Sequence, residues 1–594
     1  MTSRSTRSPR RRTVVALAIV LSIMVTFVIR LVDIQVVNAQ TNIDDSLRYG
    51  LGVTQTLTGT RGAIVDANGT TLASSTLKYD CQMTPVNVSD TKQGDGNGHT
   101  VSIPWSQMSD RIAAIIGSTG DKVRGLITDA LAQNKYSQYA LLQNGLSTEQ
   151  YRKLMELGTD FISCSPQPSR SYPNGAVAGN LLGFMGSDGK ALAGLELSAN
   201  QCLTPTNGKL SFEAGKDGVI IPGTESEKPA VDGGTLTLTI DTDLQWYMDQ
   251  LIAQGVQKMG AKYGTITVTE VKTGKVRAMA EYPTVDPNDI NASNPDAWYS
   301  KIFTDQFEPG STFKGLLASM LIDKAGQTPT STAIVSDPEH FPNGATVVDS
   351  FHHPTYDYTL AGVLIDSSNA GASVFSQRMS LAERYDFLKK FGIGTGSDID
   401  FPGQTRGIVH PWQDWDNQMR YDTSYGQGLT TTVPELVEAY DAIANDGVRV
   451  PLSLVESCTT AAGKVIKPTR PESTRVISAK TSAQVREILE NVAMQAVYKD
   501  LVKIPGYRIA TKTGTGQISN GGKGYIRGRY YTTMIGFAPA NDPQYIVAVT
   551  LDQPTAITSS TANASTFKAA MEQVLKTYRI MPSTAKPTIL SKFG

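Results

Sequence analysis

The sequence predicts an α+β protein carried on a single N-terminal transmembrane helix, and three observations predict it. An apolar run from Thr13 to Ile29 is interrupted only by Ser22 and Thr26, and it follows Arg4, Arg7, Arg10, Arg11 and Arg12. Far downstream, in residues 232–580, strand-like alternation gathers at both ends with helical patterning between, which suggests one antiparallel sheet completed by both chain ends. The intervening stretch, 40–228, is mixed and rich in turn residues.

The apolar run is long enough to matter. Seventeen helical residues span about 26 Å, the short end of what crosses a bilayer core. Basic residues 1–12 keep the N-terminus cytoplasmic, residues 13–32 form the anchor, and the chain beyond Asp33 lies outside. A cleaved signal peptide ending near Val37-Asn38-Ala39 is the alternative; the continuation of the run through Leu31 and Val32 favours an anchor. With 594 residues, 40% of them hydrophobic and 18% charged, the chain has material for more than one core. A net charge of −1 gives no reason to expect nucleic acid as a partner. Cys81, Cys164, Cys202 and Cys458 form no CxxC, so zinc-ribbon and redox readings lack support. In an exported body one pair could be a disulfide, and the sequence does not say which.

Within 40–228, helical patterning appears at Ser106–Ile116 and Thr148–Leu157, and Asn87–Thr100, with Gly94, Gly96 and Gly98, reads as a polar loop. A Pro- and Gly-bearing linker, Ile221 to Gly234, marks the domain boundary, after which Thr235–Ile240 reads as a strand. Asp241 is a candidate N-cap for a helix Leu244–Met259. Thr265–Glu270 and Val276–Glu281 form a hairpin pattern around Lys272-Thr273-Gly274-Lys275. A helical middle covers Ser311 to Phe391. Strands are expected at Tyr507–Thr515, Tyr530–Ala538 and Tyr545–Leu551, then a helix at Thr566–Tyr578 and a tail, 581–594.

Three short segments carry chemistry. Glu308-Pro309-Gly310 breaks the chain before Ser311-Thr312-Phe313-Lys314, so Ser311 falls in the first turn of a helix and Lys314 shares its face. The helix N-terminus favours negative charge developing on the serine oxygen. Serine needs a base to become a nucleophile, and Lys314 serves only if burial and a second cation depress its pKa. Ser367-Ser368-Asn369 sits on an interhelical loop, where Ser367 can relay a proton between Lys314 and a leaving or attacking amine. Asn369 can hold Lys314 and a substrate amide, and an N-cap for the following helix is the alternative reading. Lys512-Thr513-Gly514 lies in a strand, with Lys512 as the second cation, its amine and that of Lys314 expected to bracket the Ser311 hydroxyl, and as a receptor for a carboxylate. Gly514 would let an extended peptide approach the sheet edge, and the amides of Thr515 and Ser311 would form an oxyanion hole. Ser75-Thr76-Leu77-Lys78 and Lys272-Thr273-Gly274 repeat two of these spellings on a strand and in a hairpin turn, and read as structural. His352 and His353 near Asp357 have no metal-ligand spacing and read as a loop, so no metal site is expected.

Ser-x-x-Lys, Ser-x-Asn and Lys-Thr-Gly in this order resemble the signature of penicillin-binding proteins and serine β-lactamases. Glu-Pro-Gly-Ser-Thr-Phe-Lys at 308–314, Tyr-Gly-Gln-Gly at 425–428 and Ala-Thr-Lys-Thr-Gly-Thr at 510–515 look like class B penicillin-binding proteins. Arg61-Gly62-Ala63-Ile64-Val65-Asp66-Ala67-Asn68-Gly69 is similar to a motif of their N-terminal pedestal, with Ala67 where arginine is usual. Arg170-Ser171-Tyr172-Pro173 and Gly194-Leu195-Glu196 also match pedestal motifs. The resemblance implies a pedestal of the dimerisation type at 40–228 and a β-lactamase-like transpeptidase domain at 232–580. It implies that Ser311 attacks D-Ala-D-Ala stem peptides of peptidoglycan, that an amine of a neighbouring stem captures the acyl-enzyme, and that β-lactams acylate the same serine. Catalytic roles would fall to Ser311, Lys314, Ser367, Asn369 and Lys512, with Thr513, Gly514 and Thr515 contacting substrate and no cofactor. Arg30-Leu31-x-x-x-Gln35, the moderate pedestal and no tail module look like the division-type enzyme, which implies pairing with a multi-span glycan polymerase and other septal proteins. An elongation-type enzyme, a D,D-carboxypeptidase, a β-lactamase, a β-lactam sensor and a non-catalytic division scaffold are the competing readings.

Overall fold

The computed structural model describes residues 9–38, 52–94, 100–214, 220–521 and 524–594. Arg4 and Arg7 of the basic tail, the first residues of the pedestal and the glycines 96 and 98 lie outside them. The chain divides into two compact units, one made of Met1–Thr60 with Pro205–Asp232 and the other of Arg61–Thr204 with Gly233–Gly594.

In the first unit Pro9–Val32 is an α-helix. The 25-residue stretch Thr13–Val37, whose most apolar 18-residue window has mean hydropathy 2.7, is long and apolar enough to cross a membrane, and none of that window is buried in protein. Such a helix satisfies its own backbone and leaves its side chains for lipid. The unit also holds an antiparallel sheet in which Gly208–Glu213 lies between Gly52–Leu57 and Ser226–Lys228.

The second unit contains two principal sheets. The first has five antiparallel strands in the order Val276–Tyr282, Tyr263–Glu270, Tyr545–Asp552, Tyr525–Ala538 and Ala510–Ser519. The hairpin and the last three strand patterns thus meet in one sheet, as their alternation suggests, and Ala510–Ser519 is left at an edge. Every residue of Tyr545–Asp552 is buried, so helices cover both faces. Thr242–Met259 and Ala564–Thr577 pack together on one side, and Val433–Ala444, Ala479–Gln495 and Phe313–Lys324 pack against one another on the other. Phe313–Lys324 is apolar all round and buried from Phe313 to Ile322, the pattern of a helix passing through a core.

Thr235–Leu238 departs from expectation. It joins the second sheet, pairing antiparallel with Val455–Thr459 and parallel with Ile64–Val65. Alternation identifies a strand but not its neighbour. The preceding glycines are not slack either: a Cβ on Gly233 would lie 1.9 Å from the Leu203 carbonyl oxygen. Asp241 does cap the next helix, accepting from Leu244 N at 3.1 Å. The polar loop at Asn87–Thr100 is in part a hairpin, Thr91–Gly94 with Thr100–Ile103. The helix Gly120–Gln133, capped by Thr119, has no counterpart in the sequence reading, because Gly120 and Gly125 mask its periodicity. All four cysteines are paired, Cys81 with Cys164 across adjacent strands and Cys202 with Cys458.

Candidate active site

Three backbone segments meet where Ser311 sits. Gly310–Thr312 is a 3₁₀ turn leading into the helix Phe313–Lys324. Gly310 N donates to Gly426 O at 2.9 Å, and Tyr440 Oη donates to Thr312 O at 2.7 Å. A Cβ on Gly426 would come within 2.3 Å of Gly310 O, and one on Gly514 within 2.2 Å of Pro309 O. The glycines of the Tyr-Gly-Gln-Gly and Lys-Thr-Gly segments therefore let the chain press its own backbone against the Ser311 turn. For Gly514 this corrects the expectation that it admits a substrate backbone. Its open face meets Pro309 and Thr312, whereas Thr513 and Thr515 face the cleft.

Lys314 is fully buried and its Nζ touches four oxygens: Ser311 Oγ at 2.9 Å, Asn369 Oδ1 at 2.7 Å, Ser367 O at 2.5 Å and Ser367 Oγ at 3.4 Å. Burial first, and the Lys512 charge second, push its pKa well below the ordinary lysine range, with Asp349 opposing. A neutral amine keeps two N–H groups and one lone pair. The Ser367 carbonyl and the Asn369 carbonyl oxygen can only accept, so they take the two N–H bonds. The lone pair is left for the Ser311 hydroxyl proton.

The Ser-Ser-Asn loop is shaped for this. Ser367 has φ 58°, in the left-handed region that non-glycine residues rarely occupy. Ser368 is buried and caps the helix Asn369–Ser376, accepting from Gly371 N at 2.8 Å. The N-cap reading therefore holds on Ser368, while Ser367 and Asn369 on either side of it contact Lys314. Asp349 Oδ1 accepts from Asn369 N at 2.5 Å and Ala370 N at 2.9 Å, fixing the start of that helix. His353 Nε2 contacts the other oxygen of Asp349 at 3.1 Å, while His352 Nδ1 lies 2.6 Å from Asp337. The adjacent histidines diverge to different aspartates, and neither bonds Asp357.

Lys512 is also fully buried, and burial pushes its pKa down to about 7. Its Nζ lies 3.0 Å from Ser367 Oγ and 3.2 Å from Thr513 O. The hydroxyl bracketed by both amines is thus that of Ser367, not that of Ser311. A cleft of about 1160 Å³ opens over Ser311, Ser367, Asn369, Thr513 and Thr515.

Sequence reasoning missed several supports. Tyr425, whose ring lies 6.0 Å from Lys314 Nζ, donates its hydroxyl to Asp422. Gln427 Nε2 donates to Gln517 Oε1 at 2.9 Å across the cleft. Glu308, its pKa pushed up to about 7 by burial, accepts from Tyr525 Oη at 2.8 Å and Gly428 N at 3.0 Å. The Tyr-Gly-Gln-Gly spelling was the available signal for the first two. Asp349 and Tyr525 had none, since both lie in loops or at hairpin ends.

Against known proteins, residues 264–572 match the family model of the penicillin-binding protein transpeptidase domain, and residues 56–238 match that of the penicillin-binding protein dimerisation domain. Penicillin-binding protein PbpB of Mycolicibacterium smegmatis is 31% identical over 560 residues, covering 90% of this chain and 85% of that protein. PbpB of Mycobacterium tuberculosis is 36% identical over 402 residues, 66% of this chain and 59% of the relative's length. The crystal structure of penicillin-binding protein 3 of Mycobacterium tuberculosis complexed with ampicillin superposes with a TM-score of 0.69 at 27% identity, covering 90% of this chain and 99% of that one.

Proposed function

The chain belongs to the class B penicillin-binding proteins, as a division-type peptidoglycan D,D-transpeptidase, and on that premise we propose that Ser311 is its nucleophile and Lys314 the base. Neutral Lys314 takes the Ser311 proton as Oγ attacks the carbonyl of the penultimate D-alanine of a stem peptide. The amides of Ser311 and Thr515 hold the resulting oxyanion, each donor worth on the order of 3 kcal/mol. Collapse breaks the C–N bond and expels D-alanine, whose nitrogen takes the former Ser311 proton from Lys314 through Ser367. An amine of a neighbouring stem then attacks the ester and passes its proton through Ser367 to Lys314; the bond to Ser311 Oγ breaks as Lys314 returns that proton to it, leaving the cross-link and the free enzyme. Asn369 holds Lys314 and the substrate amide, Lys512 keeps Lys314 neutral and Ser367 oriented, and Thr513 and Gly514 belong to the strand against which the stem extends. A β-lactam acylates the same oxygen, in keeping with the ampicillin complex of the structural relative.

One observation carries this reading: the Lys314 amine has two obligate acceptors for its hydrogens and a hydroxyl 2.9 Å away for its lone pair. The matched stretches 56–238 and 264–572 support 40–228 as a pedestal and 232–580 as the catalytic body. A multi-span glycan polymerase and other septal proteins are proposed partners, reached through the membrane helix. Labelling with a fluorescent penicillin followed by peptide mapping tests the nucleophile, and an amine acceptor peptide tests the transfer. A tag on Ser311 and a cross-linked dimer are expected. A Ser311→Ala chain that still labels, or a product formed with water alone, overturns the assignment.

A further inference from the structure

The segment Thr588–Gly594 has no place in the chemistry above, yet it ends beside it. Asn491 and Gln495, one turn apart on the helix Ala479–Gln495, grip its backbone. Asn491 donates to Thr588 O and accepts from Leu590 N, each at 2.9 Å, and Gln495 Nε2 donates to Leu590 O at 2.9 Å. The segment then joins the strand Tyr356–Thr359. Thr359 Oγ1 donates to Ser591 O at 2.7 Å, Thr359 N to Lys592 O at 3.0 Å, and Gly594 N to Asp357 O at 2.9 Å. The contact is close enough that a Cβ on Gly362 would lie 2.0 Å from Lys592 O.

Two side chains reach from this segment toward the Ser-Ser-Asn loop. Lys592 Nζ lies 2.5 Å from Asp366 Oδ1, while Tyr358 Oη donates to the other oxygen of Asp366 at 3.1 Å. Asp366 ends the helix Leu360–Ile365 and immediately precedes Ser367, the residue held at φ 58°. Phe593 packs its ring 4.8 Å from Tyr356 and 5.1 Å from Tyr358, and lines the cleft with Ser367 and Asn369. A left-handed serine persists only where its surroundings over-determine it. The Lys592–Asp366 pair is a partly shielded contact that anchors the residue before it.

We propose that Thr588–Gly594 is a strap that sets the catalytic loop, with Lys592 positioning Ser367 and Asn369 through Asp366 and Phe593 forming a wall of the cleft. Lys592 touches no reacting atom, so it is a positioning residue. Phe593 meets the bound stem or β-lactam directly. The inference rests on Ser311 as the nucleophile, and mapping the label on the unaltered chain checks that premise separately.

The test uses the full-length chain in detergent and resolves β-lactam acylation into a half-saturating concentration and a limiting rate. Lys592→Met is expected to lower the limiting rate about tenfold to a hundredfold, the scale of a sub-ångström to ångström misplacement, with binding and melting temperature unmoved. Lys592→Arg should restore the rate. Adding Asp366→Asn to Lys592→Met should slow the enzyme no further, because both act through one contact. Phe593→Ala should instead raise the half-saturating concentration and leave the limiting rate. A Lys592→Met chain that acylates within twofold of the parent overturns the proposal. So does a loss that tracks the unfolded fraction, or one that multiplies with Asp366→Asn.

Discussion

Replacing Gly514 by alanine puts the backbone contact behind the Ser311 turn to a direct test. The added Cβ would sit 2.2 Å from Pro309 O and 2.9 Å from Thr312 Cγ2. Ordinary contacts of this kind exceed 3 Å, so the edge strand and the Ser311 turn must separate by about 1 Å. The turn cannot yield alone, because Gly310 N is tied to Gly426 O and Thr312 O to Tyr440. Misplacing a reacting group by that distance costs about a hundredfold in rate, and forced overpacking costs about 1–3 kcal/mol of stability. Time-resolved labelling with a fluorescent penicillin and a denaturant titration measure the two quantities on one preparation. Both should fall. An alanine chain acylating within threefold of the parent at unchanged stability refutes the contact. A loss confined to probe affinity returns Gly514 to the role of admitting a substrate backbone.

Removing the second cation by Lys512→Met lifts one cause of the depressed Lys314 pKa. Lys314 then needs a higher pH to become the neutral base, so the acidic limb of the acylation–pH profile should move to higher pH; an unmoved or acid-shifted limb contradicts the reading. In the pedestal motif, buried Glu196 accepts from Arg61 Nε at 2.7 Å and Arg170 Nε at 2.6 Å. Glu196→Gln leaves two shielded guanidinium groups without their counter-charge, and urea unfolding should reveal a loss of about 3–5 kcal/mol. The bridge Cys202–Cys458 closes a loop of sequence separation 256, so its loss by a Cys→Ala pair should lower stability by up to about 5 kcal/mol in the chain-entropy account. An unchanged unfolding midpoint argues against it.

Much of this architecture is written in local patterns. The anchor is legible because a bilayer demands a long uninterrupted apolar helix, and Thr13–Val37 supplies it. Asp241 capping its helix, the Lys272–Lys275 turn and the three closing strands follow from rules that act over a few residues. So does the meeting of Ser311 with Lys314, one helical turn apart.

What spans the chain was decided only by tertiary structure. No local rule assigns Thr235–Leu238 to the sheet of Ile64–Val65 and not to the catalytic one, since strand propensity does not encode a partner. The pairing of the four cysteines was equally closed to sequence, because any two can meet until the backbone is placed. Lys512 was expected beside Ser311, and packing instead set its amine on Ser367. Asp349 and Lys592 carried no signal, being single charges in irregular segments whose partners, the start of the Asn369 helix and Asp366, are brought beside them only by folding. Residue spacing dictates contacts within a turn or a strand; contacts between distant segments depend on how those elements stack, and there only the folded chain decides.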